Sequence, residues 1–135
     1  MLVRRPVCSR PQRRGAALVE LAVCLPMMLI ITLGAIETAN AIFLKQCLTS
    51  IAYEGARLAS GPGGTTADAQ TLCQQLLTAR KINGATVSCT SITASTAAGT
   101  PITVQVTATV DNNSIGISKY FKSRSLSASA TMARM

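Results

Sequence analysis

The chain has 135 residues, of which 48% are hydrophobic but only 3% aromatic and 13% charged. The absence of histidine excludes a histidine-based triad, a histidine general base and a histidine-ligated metal site. The five acidic residues are spaced too widely to form a local carboxylate pair. We therefore expect no enzyme, and hence no catalytic residues, cofactor, metal or small-molecule substrate.

The net charge of +8 is concentrated near the N-terminus. Five of the thirteen basic residues are arginines before Gly15, so residues 16–135 keep eight basic and five acidic residues, a net of +3. A nucleic-acid-binding protein would carry basic residues along one face with aromatic residues between them, and that pattern is missing. We expect no nucleic-acid partner. The arginines are typical of the cytoplasmic flank of a membrane helix, so residues 1–15 are predicted to be a basic cytoplasmic leader.

An apolar run extends from Ala16 to Ile36, which is about 31 Å as a helix and matches the thickness of a membrane. It contains an acidic residue, Glu20, although a carboxylate in lipid costs about 2.5–3.5 kcal/mol. Two explanations are open: Glu20 lies close enough to the interface to reach water, or it pairs with a positive charge inside the membrane. Pro26 removes the backbone hydrogen bond to the Ala22 carbonyl, which predicts a kink or local melting.

A chain cut between Gly15 and Ala16 would supply such a positive charge. The cut creates a free α-amine, and the amine of a neighbouring subunit, shifted along the helix axis, could meet Glu20. Pairing the two charges would offset much of the desolvation of each. Gly15 gives the backbone the freedom to enter a peptidase site in an extended conformation.

The helix is predicted to continue past the membrane to about Ser60, which is about 68 Å in all. Leu44, Leu48, Ile51, Gly55 and Leu58 form a stripe at helical spacing. We expect the stripe from Ile51 to Leu58 to pack on the chain's own globular domain. The small residues of the apolar run should instead allow close packing against other helices.

Resemblance to a known family is carried by residues 13–60, which read RRGAALVELAVCLPMMLIITLGAIETANAIFLKQCLTSIAYEGARLAS. This segment resembles the TadE-like family, the minor pseudopilins of the tight-adherence (Flp) pilus machinery, specifically over residues 13–59. The matching positions are Gly15, Ala16, Glu20, Pro26, Glu37 and the stretch 53–57. Leu21 follows Glu20 where relatives often carry Phe.

The resemblance implies cleavage between Gly15 and Ala16 by a membrane aspartic prepilin peptidase. It implies a structural subunit that lies in the bacterial inner membrane, with its C-terminal domain in the periplasm or, once assembled, outside the cell. Its partners would be other pilins or pseudopilins and pilus assembly proteins, bound through the N-terminal helix. Glu20 and Pro26 are the residues expected to serve assembly.

Two other interpretations of the same segment stay open. An arginine-rich start, an apolar run and Ala39-Asn40-Ala41 also fit a secretory signal peptide, whose removal would release Ile42 onward. An uncleaved single-pass anchor is the second. Either would suit a secreted or membrane-tethered periplasmic binding module with a pocket in its globular domain.

Residues 61–65 read GPGGT and predict a linker before a small domain over 66–135. Thr65 or Thr66 can cap a helix to about Arg80, and Asn83-Gly84 is typical of the turn that ends it. Three runs then alternate apolar with Ser or Thr residues, around 87–89, 102–110 and 126–132. The predicted fold is α+β: a long protruding transmembrane helix, then one helix on a three-stranded antiparallel sheet.

Five cysteines are present, and Cys73 and Cys89 both fall on predicted core positions. In an oxidising periplasm we expect a Cys73–Cys89 disulfide worth about 3 kcal/mol, with two buried thiols as the alternative. Cys24 lies within the apolar run, where it packs as a small apolar group. The sequence leaves open whether Cys47 pairs between subunits.

Overall fold

The computed structural model describes residues 12–113 and 124–135. The elements in chain order are helix α1 (Gln12–Ser60), helix α2 (Thr66–Ala79), strand β1 (Ala85–Cys89), strand β2 (Pro101–Thr109), a short 3-10 helix (Asp111–Asn113) and strand β3 (Ser125–Ala133). This is the predicted α+β architecture. Residues 1–11 of the predicted leader, including Cys8, and residues 114–123 of the predicted loop before β3 lie outside the described residues.

Contacts divide the chain into two compact units, one ending at Ala35 and the other formed by Ile36–Met135. The boundary falls within α1. In the first unit, every side chain from Gly15 to Ala35 is exposed except that of Leu33, which is half-buried. The second unit has its own core.

The part of α1 in the second unit contributes a buried stripe to that core, as predicted for residues 51–58. Leu48 and Ile51 are fully buried, but Leu58 is 42% exposed, so its predicted place in the stripe is wrong. The actual stripe continues instead through Ala52, Ala56 and Ala59, which are completely buried. Because these side chains are small, the axis of α1 lies close to the elements packed against it. The gap between them is therefore too narrow to need a leucine at the end of the stripe.

Helix α2 begins with a capping box. Thr65 is the N-cap, its side chain accepts from the Asp68 amide, and the Asp68 carboxylate accepts from the Thr65 amide at 3.2 Å. The helix ends at Ala79, before the Asn83-Gly84 turn that was expected to end it. Lys81 takes a positive φ of 54°, and the Ile82 amide donates to the Leu77 carbonyl at 2.9 Å, so the chain leaves the helix through Lys81.

The sheet has the order β1-β2-β3 and both pairs are antiparallel. Its register aligns apolar residues: Val87 pairs with Val106, and Val106 pairs with Ala128. Along β2, fully buried valines alternate with partly exposed threonines. The buried side chains lie in one core with residues of α1 and α2, so this face of the sheet is the one covered by the helices. The opposite face of the sheet carries Ser, Thr and Gln side chains, as predicted.

Arg134 is the second unit's most buried charged residue among those described, with only 5% of its surface exposed. Its Nη1 donates to the Ala59 and Gly64 carbonyls, each at 2.8 Å, and its Nη2 donates to the Ala94 carbonyl at 3.3 Å. A guanidinium at the C-terminus of α1 satisfies carbonyls that the helix leaves unpaired and interacts favourably with the helix dipole. No feature of the sequence pattern indicated this role.

Candidate functional site

The predicted processing position lies inside α1 rather than at its start. The sequence predicted a helix from Ala16, but the structure begins α1 at Gln12, so the bond between Gly15 and Ala16 is in helical conformation. Both residues are exposed, and a Cβ built at Gly15 would meet nothing within 4 Å. A peptidase that binds its substrate extended must therefore unwind the first turns of α1.

Glu20 is exposed on the apolar part of α1. Among the side chains of residues 15–113 and 124–135, the one ion pair joins Glu54 and Arg57, at 3.9 Å, and none of these side chains pairs with Glu20. A carboxylate placed in a membrane without a partner on its own chain needs water or a partner from another molecule.

Pro26 lies in the interior of α1, and the helix continues through it. The local melting that was one of the two expected effects is therefore not observed. The Ala22 carbonyl still loses its helical donor, because proline has no amide hydrogen.

The apolar surface around Glu20 and Pro26 is almost entirely uncovered. Eleven large hydrophobic side chains from Leu18 to Ile36 are between 42% and 71% exposed. They are Leu18, Val19, Leu21, Val23, Leu25, Met27, Met28, Leu29, Ile30, Ile31 and Ile36. In water such a surface is unfavourable by about 25 cal/mol for each Å² exposed, which makes it a candidate for contact with lipid or with other helices.

Glu37, which the sequence placed at the end of the apolar run, is the first acidic residue of the second unit. Only 9% of its surface is exposed, and its Oε1 atom has no hydrogen-bond partner among the described residues. One turn later, the Asn40 side chain donates to the Asn113 carbonyl at 3.0 Å. The sequence placed Asn40 only in the signal-peptide motif 39–41 and did not predict this contact, because only the fold brings Asn40 to the 3-10 helix after β2.

The stretch Tyr53-Glu54-Gly55-Ala56-Arg57 divides into packing and surface positions. Gly55 and Ala56 are buried, whereas Tyr53 and Arg57 are exposed. A Cβ at Gly55 would lie 2.4 Å from the Sγ atom of Cys73 and 3.3 Å from a methyl group of Val104. Gly55 therefore allows α1 to approach α2 and β2 closely.

The two core cysteines lie in the same part of the molecule. Cys73 is fully buried, and its thiol donates to the Ile51 carbonyl at 3.7 Å; Cys89 is half-buried beside the same core. Burial raises the pKa of the Cys73 thiol above its ordinary value, and the nearby Cys89 raises it further. Burial also raises the pKa of Cys89. Both are free thiols in this structure, so the disulfide stays a prediction.

Cys47 is buried on α1, and its backbone carbonyl accepts from Nη1 of Arg80 at 3.3 Å. The Arg80 guanidinium also donates to the Ser50 hydroxyl at 3.2 Å. These bonds join the end of α2 to α1. A thiol buried in this way contacts another subunit only if the second unit opens.

Within the described ranges, one helix is long and apolar enough to cross a membrane, and the stretch that meets this test is Gly15–Ser60. The same stretch carries the match to known proteins: the family model for TadE-like protein matches residues 15–57. Residues 15–57 form a TadE-like segment. The resemblance predicted from the sequence is thus confirmed. Comparisons with curated proteins and with solved structures gave no match.

The TadE-like segment begins at Gly15 and ends at Arg57, so it includes the predicted processing position, the exposed apolar surface and the buried glycine of α1. It does not include α2 or the sheet. The match covers less than half of the chain, and the residues within the segment are the candidates for the role that the family implies.

Proposed function

We propose that this chain is a minor pilin-like structural subunit of a tight-adherence pilus assembly apparatus. The chain inserts into the bacterial inner membrane with its N-terminus in the cytoplasm, and residues 36–135 lie in the periplasm. Prepilin peptidase removes the leader between Gly15 and Ala16. The new N-terminal helix then packs against other pilins or pseudopilins, and the chain itself catalyses no reaction.

The observation that carries this proposal is the start of the TadE-like match at Gly15, directly after the basic leader and at the beginning of the apolar surface. The arginines before residue 15 favour a cytoplasmic N-terminus by the positive-inside rule. The uncovered apolar surface of α1 supports assembly through this helix, because helices in a membrane associate by close packing of such surfaces.

Glu20 is the residue we assign to subunit registration. After cleavage, the amine of Ala16 on one subunit would neutralise the Glu20 carboxylate of a neighbour. The absence of any described in-chain partner for Glu20 supports this role. Since a charge pair in lipid is far more favourable than either charge alone, the pair would fix the axial offset between helices.

A secretory signal peptide ending at Ala41 fits the structure less well. The amide of Asn40 binds the backbone of Asn113, and Glu37 is buried in the second unit. Cleavage after Ala41 would remove both residues from the unit in which they pack. This contact favours a chain that keeps residues 36–41 with its globular part.

In an oxidising periplasm we propose that Cys73 and Cys89 form a disulfide. Both thiols line one core, and Cys89 is near enough to Cys73 to raise the pKa of the Cys73 thiol. Their raised pKa values make the reactive thiolate scarce at neutral pH, so oxidation would need a catalyst or a partly unfolded chain. Peptide mapping with and without reductant would detect the linked pair.

The mass of the intact mature protein tests the proposal directly. We expect an N-terminus at Ala16, whereas Ile42 would indicate a signal peptide and Met1 an uncleaved anchor or a retained leader. Gly15→Val should leave the full-length precursor in the membrane. Ala17→Val, two residues past the cut, is the matched control and should still be processed.

The role of Glu20 needs a separate experiment, with assembly as the readout. Glu20→Ala should insert and be cleaved normally but fail to co-purify with crosslinked neighbouring subunits. Glu54→Ala, which removes an exposed carboxylate from the second unit, should assemble normally. Normal assembly of Glu20→Ala would contradict the charge-pair role.

A further inference from the structure

Strand β3 is an edge of the sheet, because it pairs with β2 and with no other described strand. The Val110 amide donates to the Arg124 carbonyl and the Arg134 amide donates to the Thr100 carbonyl, both at 2.9 Å. In an antiparallel pair the residues that bond to the partner strand alternate with those that do not. The even-numbered residues of β3 therefore bond to β2, and the odd-numbered ones direct their amides and carbonyls outward.

Among the described residues, almost none forms a hydrogen bond with the outward backbone amides and carbonyls of β3. Lys45 Nζ donates to the Ser127 carbonyl, and no hydrogen bond from a described residue reaches the outward backbone groups of Ser129 or Thr131. Proteins usually protect such an edge with charged residues, proline or a bulge. Here β3 spans nine residues, SLSASATMA, in unbroken register and without a charge or a proline.

A groove of about 360 Å³ lies beside this edge. It is lined by Thr38, Ala41, Ile42, Lys45, Gln46 and Leu126. Leu126 belongs to β3 and faces the core side of the sheet, where it is half-buried. A strand added next to β3 would therefore place its alternate side chains over Leu126 and into this groove.

We propose that the β3 edge binds an extended peptide segment of a partner protein by strand addition. The backbone of that segment would bond to Ser127, Ser129 and Thr131. Its side chains on the core side would be apolar, to fill the groove, and one acidic residue would pair with Lys45. This surface lies outside the TadE-like segment except for residues of α1, and it does not depend on the proposed pilus role.

The charge of Lys45 favours a partner other than a second copy of this chain. Among residues 12–113 and 124–135, no carboxylate pairs with Lys45. If two β3 strands paired about Ser129, two Lys45 ammonium groups would lie at one shared edge, and Ser125–Ala133 supplies no acidic residue to either. An acidic segment from a different protein gives the ammonium group a counter-charge.

A synthetic peptide tests the surface on the full chain in detergent micelles. The probe is as long as β3, alternates valine with threonine, carries one central glutamate and has proline at both ends to prevent its own aggregation. Hydrogen exchange of the labelled chain, measured by NMR, should show new protection of the Ser127, Ser129 and Thr131 amides. The Ala128 and Ala130 amides, already bonded to β2, should not change.

Two substitutions at one position separate backbone pairing from side-chain effects. The Ser129 amide points outward, so Ser129→Pro removes an edge donor and leaves the bonds to β2 in place. It should weaken peptide binding about tenfold or more, the equivalent of about 1.4 kcal/mol for lost edge hydrogen bonds. Ser129→Ala, which keeps the amide, should change binding less than about twofold if side chains contribute little.

Lys45→Met keeps the apolar stem and removes the charge, so it tests the acidic residue even if Ser129→Pro fails to fold. It should abolish the preference for the glutamate peptide over a glutamine version. Four results would overturn the proposal: no protection of the outward amides, equal binding by Ser129→Pro and Ser129→Ala, an unchanged glutamate preference in Lys45→Met, or protection that depends on chain concentration without peptide. The last would indicate self-association. None of these results bears on the mature N-terminus, so the pilus role is tested separately.

Discussion

The two parts of α1 on either side of residue 35 are both rich in apolar and small residues, yet they have opposite surroundings. From Gly15 to Ala35 the side chains are exposed except for half-buried Leu33, whereas from Leu44 to Ser60 a complete stripe is buried. The difference is the presence of partners within the chain. Helical periodicity alone therefore does not tell which part of a helix completes a domain and which part awaits other molecules.

One glycine from each of the two units gives the largest expected contrast. A Cβ at Gly64 would lie 2.5 Å from the Leu58 carbonyl and 2.9 Å from the Ala59 carbonyl, whereas one at Gly34 meets nothing within 4 Å. Gly64→Ala should destabilise the second unit by about 3 kcal/mol, because backbone atoms cannot move aside easily. Gly34→Ala is the matched control, with no loss in unfolding midpoint by pulse proteolysis in urea. Equal unfolding midpoints for Gly64→Ala and Gly34→Ala would contradict the difference in packing at the two glycines.

Removing a charged side chain should also lower the free energy of unfolding in the second unit but not in the exposed part of α1. The expected loss is somewhat smaller than that for Gly64→Ala. Arg134→Met leaves the Ala59 and Gly64 carbonyls without their donor, and we expect a loss of about 2 kcal/mol. Glu20→Gln, in the exposed part of α1, should leave the unfolding of the second unit unchanged. Arg57→Met is a further control, since an exposed ion pair contributes less than about 1 kcal/mol. A stable Arg134→Met would mean that water replaces the guanidinium.

A smaller loss in the free energy of unfolding is expected from removing the N-cap of α2. Thr65→Ala removes the side chain that accepts from the Asp68 amide, and it should cost about 1 kcal/mol. Thr65→Ser keeps the hydroxyl and should recover most of the loss. Chemical unfolding of the full chain in micelles would measure both, and a neutral alanine variant would show that the linker caps the helix by itself.

The smallest effect concerns pH and the two core thiols in the reduced protein. Because the folded state raises the pKa of Cys73 and Cys89, it favours the protonated thiols. Stability should therefore be constant below the ordinary value of 9.0 and fall as the pH rises through the raised values. The variant with Cys73→Ala and Cys89→Ala should lose this part of the decline. If the oxidised and reduced forms declined alike, other groups would be responsible.

Much of the fold follows from local patterns. Period-two alternation predicted β2 and β3, and a threonine cap after the Gly- and Pro-rich linker predicted the start of α2, because both depend on residues close in sequence. Arg134 could not be predicted, since its three carbonyl partners lie between 40 and 75 residues away. The end of the buried stripe was wrong for a similar reason: small residues such as Ala56 and Ala59 are buried only because the sheet lies against them.

The residues of the candidate site also divide into those that local sequence predicted and those that depend on contacts between distant residues. Gly15, Ala16 and Glu20 could be selected because the leader, the apolar run and the acidic residue are consecutive, and the family match covers them. The burial of Glu37 and the bond between Asn40 and Asn113 depend on a contact across 73 residues, which no local pattern encodes.

The hydrogen bonds of Arg134 also constrain the order of events during folding. In the last turn of α1, the Ala59 carbonyl accepts from Arg134, a residue beyond β3, and the Ser60 carbonyl accepts from the Met135 amide at 2.9 Å. A nascent chain that has delivered α1, α2 and two strands still lacks these bonds. The end of α1 is thus secured by residues that follow β3 in the chain, so its last turn gains these bonds only after the third strand has been synthesised.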